Sequence, residues 1–164
     1  MKSRAIFEGL SLIFCVAIPL MIGFIGSFLT IASISGWYLT LSKPWFTPPS
    51  WVFGPAWTIL YILMGIAWWL IIRHGFEKHA VRIATVWFLI QLGVNLLWSY
   101  VFFGMQSIAG GLVVIVVLIL LILLNMHFFR QVSRRATLLL IPYLCWTVFA
   151  TLLNAMILVL NPFW

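Results

Sequence analysis

Apolar residues run along this chain in five long stretches that short polar segments separate. A helix needs about 20 apolar residues to cross the hydrocarbon core of a bilayer, and each stretch meets that length. Five such helices with short connections use nearly all of the 164 residues, which leaves no room for a second domain. The pattern therefore predicts an all-α integral membrane protein with a single domain, residues 1–164, in which a five-helix bundle spans 10–34, 55–72, 81–103, 109–129 and 136–160.

The connection between the first two helices, residues 35–54, is longer than the others and differs in composition. It carries three prolines and six aromatic residues, and its only charged residue is Lys43. A solvated linker would be rich in Ser, Lys and Glu, whereas this segment is stiff and aromatic. Two interpretations are open: an aromatic belt at the level of the lipid headgroups, or a lid over a pocket.

Polar and aromatic side chains recur at helical spacing on three of the predicted helices. These stripes consist of Trp57, Tyr61 and Met64 on the second helix, Gln91, Asn95, Trp98 and Phe102 on the third, and Tyr143, Trp146, Ala150 and Asn154 on the fifth. An unpaired amide is costly in hydrocarbon, so Asn95 and Asn154 are expected to face the bundle interior. Such amides often only bond a neighbouring helix. Their convergence with aromatic residues favours a cavity for a flat, apolar ligand.

The distribution of basic residues predicts the orientation in the membrane. If the N-terminus is cytoplasmic, every Lys and Arg except Lys43 falls on the inner side. By the positive-inside rule, the N-terminus is cytoplasmic, and the C-terminus and the segment 35–54 lie outside. The net charge of +7 forms no continuous face, so we expect no binding of nucleic acid.

Several kinds of chemistry are not expected inside the predicted helices. The chain has no Asp, and Glu8 and Glu77 lie near the predicted inner surface. There is consequently no intramembrane carboxylate of the kind that ion-coupled transporters use, and no acid–base pair for catalysis. Cys15 and Cys145 are too far apart in sequence for a metal or redox motif. We therefore expect no metal site and no catalytic residue of the acid–base type.

Several runs of residues in this sequence are recognisable. They are Trp37-Tyr38, Lys43-Pro44, Pro48-Pro49, FGPAWTILYILMG from Phe53, QLGVNLLWSYVFFG from Gln91 and PYLCWTVFATLLN from Pro142. Together they resemble the translocator protein family, also called tryptophan-rich sensory proteins or peripheral benzodiazepine receptors. The resemblance covers most of the chain, from about Gly36 to Asn161.

This resemblance implies a five-helix bundle, commonly a homodimer, with an outer pocket that the loop between helices 1 and 2 closes. It also implies binding of a porphyrin, either protoporphyrin IX or a haem-like ring, as a ligand rather than a required cofactor, and of isoquinoline carboxamide and benzodiazepine drugs. The ligand-binding residues that it implies are Tyr38, Trp57, Asn95, Trp98, Trp146, Ala150 and Asn154.

The C-terminal end departs from the animal members of that family. Animal members carry a cholesterol-recognition pattern there, with Leu or Val, then Tyr, then Lys or Arg. Residues 154–164 read NAMILVLNPFW, without Tyr or a basic residue, so sterol binding is not expected. With the short inner loops, this indicates a prokaryotic member in the cytoplasmic membrane.

Three functions are compatible with these features. The leading one is a membrane receptor or sensor that binds porphyrin-type tetrapyrroles, with their transport as an extension. The second is light-dependent porphyrin degradation, which the resemblance attributes to an aromatic pair at Tyr38 and Trp146. The third is a small subunit that stabilises a larger membrane complex.

Overall fold

The computed structural model describes the backbone of residues 2–162 and the side chains of residues 6–162. Within that range the α-helices are α1 (Lys2–Ile34), α2 (Trp37–Thr40), α3 (Phe53–Ile72), α4 (His79–Ser99), α5 (Ile108–Val132), α6 (Arg134–Leu139) and α7 (Ile141–Leu160). A 3₁₀ turn, Ser50–Val52, precedes α3, and a π-helical turn, Tyr100–Gly104, continues α4.

Five segments of the described chain are long and apolar enough to cross a membrane. They are Ile6–Ile34, Ser50–Ile72, His79–Gly104, Ile108–Val132 and Arg134–Leu160. The prediction of an all-α membrane protein with five spans is confirmed. The long connection also lies where the sequence places it, between the first and second spans.

The helix bounds differ from the predicted ones in three places. The first helix begins at Lys2 rather than at residue 10, because polar residues continue a helix beyond the apolar stretch. The fifth span is two helices that meet at Leu140. Pro142 has no N–H to donate to the carbonyl four residues earlier, so the regular bonding pattern is broken there. The third span ends in a π-helical turn rather than a regular α-helix.

The five spans surround a common interior. Around the bundle, α1 packs against α3, α3 against α6 and α7, α7 against α5, α5 against α4, and α4 against α1. The approach of α1 to α3 is closest at Gly65, where a Cβ would lie 2.5 Å from Val16 Cα and 2.7 Å from the Cys15 carbonyl oxygen. A residue without a side chain therefore allows two backbones to touch.

The interior has two apolar clusters, one toward each end of the bundle. The first contains Phe88, Phe129 and Leu140 and lies toward the end formed by the α3–α4 and α5–α6 connections, here the far end. The second contains Trp98 and Ile157 and lies at the opposite end, beneath residues 35–54, here the lid end. Aromatic residues are five of the ten buried residues in the second cluster and five of the 17 in the first.

Candidate functional site

The segment 35–54 covers the lid end of the bundle with one part and faces outward with another. Tyr38 and Trp37 on α2 are buried, and their rings contact the π-helical turn at centroid distances of 5.9 Å to Phe103 and 5.6 Å to Phe102, respectively. Trp45, by contrast, is 95% exposed. One part of the segment therefore covers the bundle as a lid would, and we call residues 35–54 the lid; the position of Trp45 in the headgroup region stays a prediction.

A cavity of about 700 Å³ lies beneath the lid, between α1, α3 and α4. Its aromatic wall contains Tyr38, Trp57, Tyr61, Trp98 and Phe103. The rings of Trp57 and Trp98 are 6.2 Å apart, and Trp57 also stacks on Tyr61 at 5.6 Å. Several large ring faces are thus gathered around one apolar space.

Small and hydroxyl-bearing residues of α1 form the opposite wall. Gly23, Gly26, Ser27 and Thr30 recur at helical spacing and line the cavity. In the sequence alone, small residues on a membrane helix indicate close helix packing rather than a ligand site. Their periodicity is the signal that could have identified the wall.

Four Ser and Thr hydroxyls of this cavity use their protons within their own helices. Ser27, Thr30, Ser35 and Thr58 donate to carbonyl oxygens three or four residues earlier, at 2.6–3.1 Å. A hydroxyl that donates in this way still has lone pairs to accept a hydrogen bond. The described residues that line the cavity include no charged residue and no His, Cys or Met, so the wall offers acceptors but no strong metal ligand.

The predicted amides pair with neighbouring helices in the bundle interior. Tyr61 donates its hydroxyl proton to Asn95 Oδ1 at 2.7 Å, and Asn95 Nδ2 donates to the Tyr143 hydroxyl at 3.1 Å. Tyr143 in turn donates to Gln91 Oε1 at 3.0 Å. The four side chains are buried and join α3, α4 and α7.

Asn154 is also buried, and its Nδ2 donates to the Ile108 carbonyl oxygen at 2.9 Å. Asn95 and Asn154 therefore both face the bundle interior, as predicted from the cost of an unpaired amide in hydrocarbon.

Three of the seven residues assigned to ligand binding lie at the cavity, and the other four lie elsewhere. Tyr38, Trp57 and Trp98 line the cavity. Asn95 lies behind Tyr61, to which it is hydrogen-bonded. Ala150 packs against the apolar cluster beneath the lid, and Asn154 lies between α7 and the start of α5.

Trp146 lies apart from the other predicted aromatic residues. It lines a separate, more open apolar groove between α3 and α7, together with Pro142 and Cys145. Phe53 lines the cavity, and its ring is 6.1 Å from the ring of Trp146. The structure therefore brings Tyr38 and Trp57 to one cavity and places Trp146 on the other side of α3.

Phe103 reaches the cavity because of the π-helical turn. The Met105 N–H donates to the Tyr100 carbonyl oxygen at 2.8 Å, which is a bond across five residues. This wider turn rotates the residues after Ser99, so that Phe103 lines the cavity while Phe102 stacks on Trp98 at 5.7 Å. Regular helical spacing had placed Phe102 rather than Phe103 on the polar stripe. Such turns are frequent at functional sites.

Lys43 is the basic residue of the lid, and it stabilises the position of Tyr38. Its Nζ donates to the carbonyl oxygens of Tyr38 and Leu41, at 2.7 and 3.0 Å, and lies 4.8 Å from the centre of the Tyr38 ring. Burial raises the pKa of Tyr38 to about 12. The Tyr38 hydroxyl therefore keeps its proton at neutral pH and can donate it.

Comparison with known proteins agrees with this architecture. Residues 15–160 match the TspO/MBR family. The tryptophan-rich protein TspO of Chlorobaculum tepidum is 50% identical over 153 residues, which cover 93% of this chain and 97% of that protein. The protein of the same name from Archaeoglobus fulgidus is 45% identical over 152 residues, 93% and 97% of the two chains. The human translocator protein is 35% identical over 133 residues, which cover 80% of this chain and 78% of that protein. The chain therefore belongs to the TspO/MBR family.

Proposed function

We propose that the chain is a membrane receptor for porphyrin-type tetrapyrroles, which bind in the cavity beneath the lid, and that it senses or transports them. The observation that carries this proposal is the cavity of about 700 Å³ with Trp57, Trp98 and Tyr38 in its wall. The names of the relatives, tryptophan-rich sensory protein and translocator protein, support a role in sensing or transport.

The shape and chemistry of the cavity support a flat aromatic ligand. Its volume is within the range of about 300–1,000 Å³ that is usual for small-molecule sites. Tryptophan and tyrosine faces stack on a conjugated ring, while Gly23 of α1 gives the Tyr61 ring room to pack beside the cavity. Isoquinoline carboxamides and benzodiazepines share this flat aromatic character, so we expect them to compete for the same space.

The lining residues favour a metal-free porphyrin over an iron porphyrin. A haem iron is normally held by His, Cys, Met or Tyr, and the described lining contains none of the first three. Of the two lining tyrosines, Tyr38 has a pKa that burial raises, which disfavours the phenolate that would bind iron, and Tyr61 donates its hydroxyl proton to Asn95. The hydroxyls of Thr30 and Thr58 can accept hydrogen bonds from polar groups at the edge of a ligand.

The test measures quenching of tryptophan fluorescence by protoporphyrin IX in the dark, with the purified protein in lipid nanodiscs. Trp98→Ala removes one stacking face and should weaken binding by about tenfold, since an aromatic contact with a base or similar ring contributes about 1–3 kcal/mol. Trp87→Ala is the matched control. Trp87 stacks on Phe128 on α5 at 6.1 Å and is not among the cavity residues.

Equal dissociation constants for Trp98→Ala, Trp87→Ala and the parent protein would refute binding in this cavity. Iron protoporphyrin measured in the same way should bind more weakly than the metal-free ring. Competition by an isoquinoline carboxamide should raise the apparent dissociation constant of protoporphyrin.

Light-dependent degradation of the porphyrin is a second candidate function. It is favoured by the concentration of oxidisable side chains, Trp57, Tyr61 and Trp98, in one wall. Because Trp146 lies in the separate groove, we expect Trp57 rather than Trp146 to contact the excited ring. Illumination should then yield a new absorbing product whose formation rate falls in Trp57→Phe and is unchanged in Trp146→Phe. Equal rates in the parent protein and Trp57→Phe would exclude this candidate.

A further inference from the structure

One side chain at the end of α7 holds the lid by its main chain. Asn161 Oδ1 accepts a hydrogen bond from the Ser42 N–H at 2.9 Å, and Asn161 Nδ2 donates to the Ser42 carbonyl oxygen at 2.8 Å. These residues are 119 positions apart in sequence. The carboxamide thus pairs with both polar groups of one lid residue, as a neighbouring strand would.

The same carboxamide is fixed to its own helix. Asn161 Nδ2 also donates to the Ile157 carbonyl oxygen at 2.7 Å, which lies in the last turn of α7 and has no partner further along the helix. Asn161 is 8% exposed, and its hydrogen bond to Ile157 is buried. This bond orients the carboxamide on its own helix, independently of the lid.

Ser42 is linked directly to the part of the lid that closes the cavity. The next residue, Lys43, donates to the carbonyl oxygens of Tyr38 and Leu41. Tyr38 lines the cavity, and Leu41 is buried next to Ser42. The position of Ser42 therefore determines where α2 and the Tyr38 ring lie.

Further along the lid, Phe46 packs against the apolar cluster beneath it, but two tryptophans face outward. Trp45 and Trp51 are 95% and 74% exposed, whereas Tyr38 is only 4% exposed. The hydrogen bonds from Asn161 hold the lid at Ser42, shortly before the segment that contains these exposed tryptophans.

We propose that Asn161 is a positioning residue that keeps the lid closed and so limits passage of a ligand into and out of the cavity. The inference rests on the proposed function for the ligand, but closure of the lid can be measured without one. Only a carboxamide of this length both accepts from the Ser42 N–H and donates to its carbonyl. Asp cannot donate, and Gln places the amide one methylene further away.

The first experiment measures access to the cavity without porphyrin. Ser99 lines the cavity, so Ser99→Cys gives a reporter thiol. Cys145 is exposed and is removed by Cys145→Ser, while Cys15 is buried and is retained. With a water-soluble methanethiosulfonate reagent, adding Asn161→Ala or Asn161→Asp should raise the reporter's modification rate about tenfold, because two hydrogen bonds to the lid are lost.

The second experiment measures release of protoporphyrin IX by stopped-flow fluorescence in nanodiscs. Asn161→Ala should raise the dissociation rate about tenfold. The matched control is Ser42→Ala, which should leave both rates unchanged because both hydrogen bonds from Asn161 use the main chain of Ser42. Thermal unfolding of each variant separates lid opening from general loss of stability, since a merely structural residue would change the melting temperature and leave access unaltered.

Ser42→Pro keeps the proposal testable if Asn161→Ala does not fold. Proline removes the N–H that Asn161 Oδ1 accepts, and Leu41 already has φ −75° and ψ 139°, a conformation allowed before proline. In a folded Asn161 variant or in Ser42→Pro, unchanged access to the reporter thiol would overturn the proposal. If the parent protein binds no porphyrin, the proposed function fails, and the access experiment still decides the role of Asn161.

Discussion

At the scale of single residues, the structure separates aromatic contact with the cavity from hydrogen bonding behind it. Trp57 and Trp98 present rings to the cavity, whereas Asn95 is 1% exposed and bonds two tyrosine hydroxyls. Its amide is therefore committed to joining α3, α4 and α7. We expect changes at this network to affect the free energy of unfolding more than ligand affinity.

Tyr61→Phe tests this separation. The ring that stacks on Trp57 remains, but Asn95 Oδ1 loses its 2.7 Å donor in a buried position. We expect the free energy of unfolding to fall by about 1–2 kcal/mol, with little change in protoporphyrin affinity. Titration with SDS in mixed micelles measures the first quantity, and fluorescence quenching measures the second.

Tyr100→Phe is the control for that experiment, because Tyr100 is 49% exposed. It removes the same hydroxyl group from a side chain of the π-helical turn that faces outward. A Tyr61→Phe variant as stable as Tyr100→Phe would show that the network contributes nothing measurable. A large loss of affinity with unchanged stability would show instead that the Tyr61 hydroxyl acts on the ligand.

At the scale of helices, the backbones of α1 and α3 come into direct contact at Gly65. An alanine at position 65 would bring its Cβ within 2.5 Å of Val16 Cα, so the two helices must separate. We expect Gly65→Ala to lower the free energy of unfolding by about 1–3 kcal/mol. Because α1 forms a wall of the cavity, protoporphyrin affinity should fall as well.

Gly93→Ala is the matched substitution on α4, where a Cβ would have no neighbour within 4 Å. Alanine favours a helix over glycine by about 1 kcal/mol, so this variant should be as stable as the parent or more stable. SDS titration of both variants compares the two sites. Equal stabilities for Gly65→Ala and Gly93→Ala would contradict the close contact of α1 with α3.

Hydropathy and periodicity predicted the spans and the inward-facing amides because both depend on the cost of polar groups in hydrocarbon. They could not predict which helices meet around the cavity. Spacing places Trp57 and Trp146 on faces of their own helices, but the rotation of those faces depends on packing with neighbours. The same limit applies to Phe103, since the π-helical turn changes the spacing itself, and to Gly23 and Gly26, whose small size fits either a helix contact or a cavity wall.

At the scale of the whole molecule, the charges differ between the two ends of the bundle. Lys43 is the basic residue at the lid end. The described basic residues of the far end are Arg73, Lys78, Arg82, Arg130, Arg134 and Arg135. Residues of this kind near the ends of spans are retained on the cytoplasmic side. The charge distribution predicts that the far end is cytoplasmic and that the cavity opens toward the outside.

Reporter fusions in a bacterial host measure this orientation. Alkaline phosphatase fused behind the last residue should be active, because that enzyme folds only outside the cytoplasm, and a green fluorescent protein at the same place should be dark. The control is a fusion after Ser133, in the short connection between α5 and α6, which should give the opposite pair of signals. The reverse result at both positions would place the lid, and with it the entrance to the cavity, on the cytoplasmic side. A ligand would then have to reach Tyr38 from inside the cell, so the orientation decides which compartment the receptor samples.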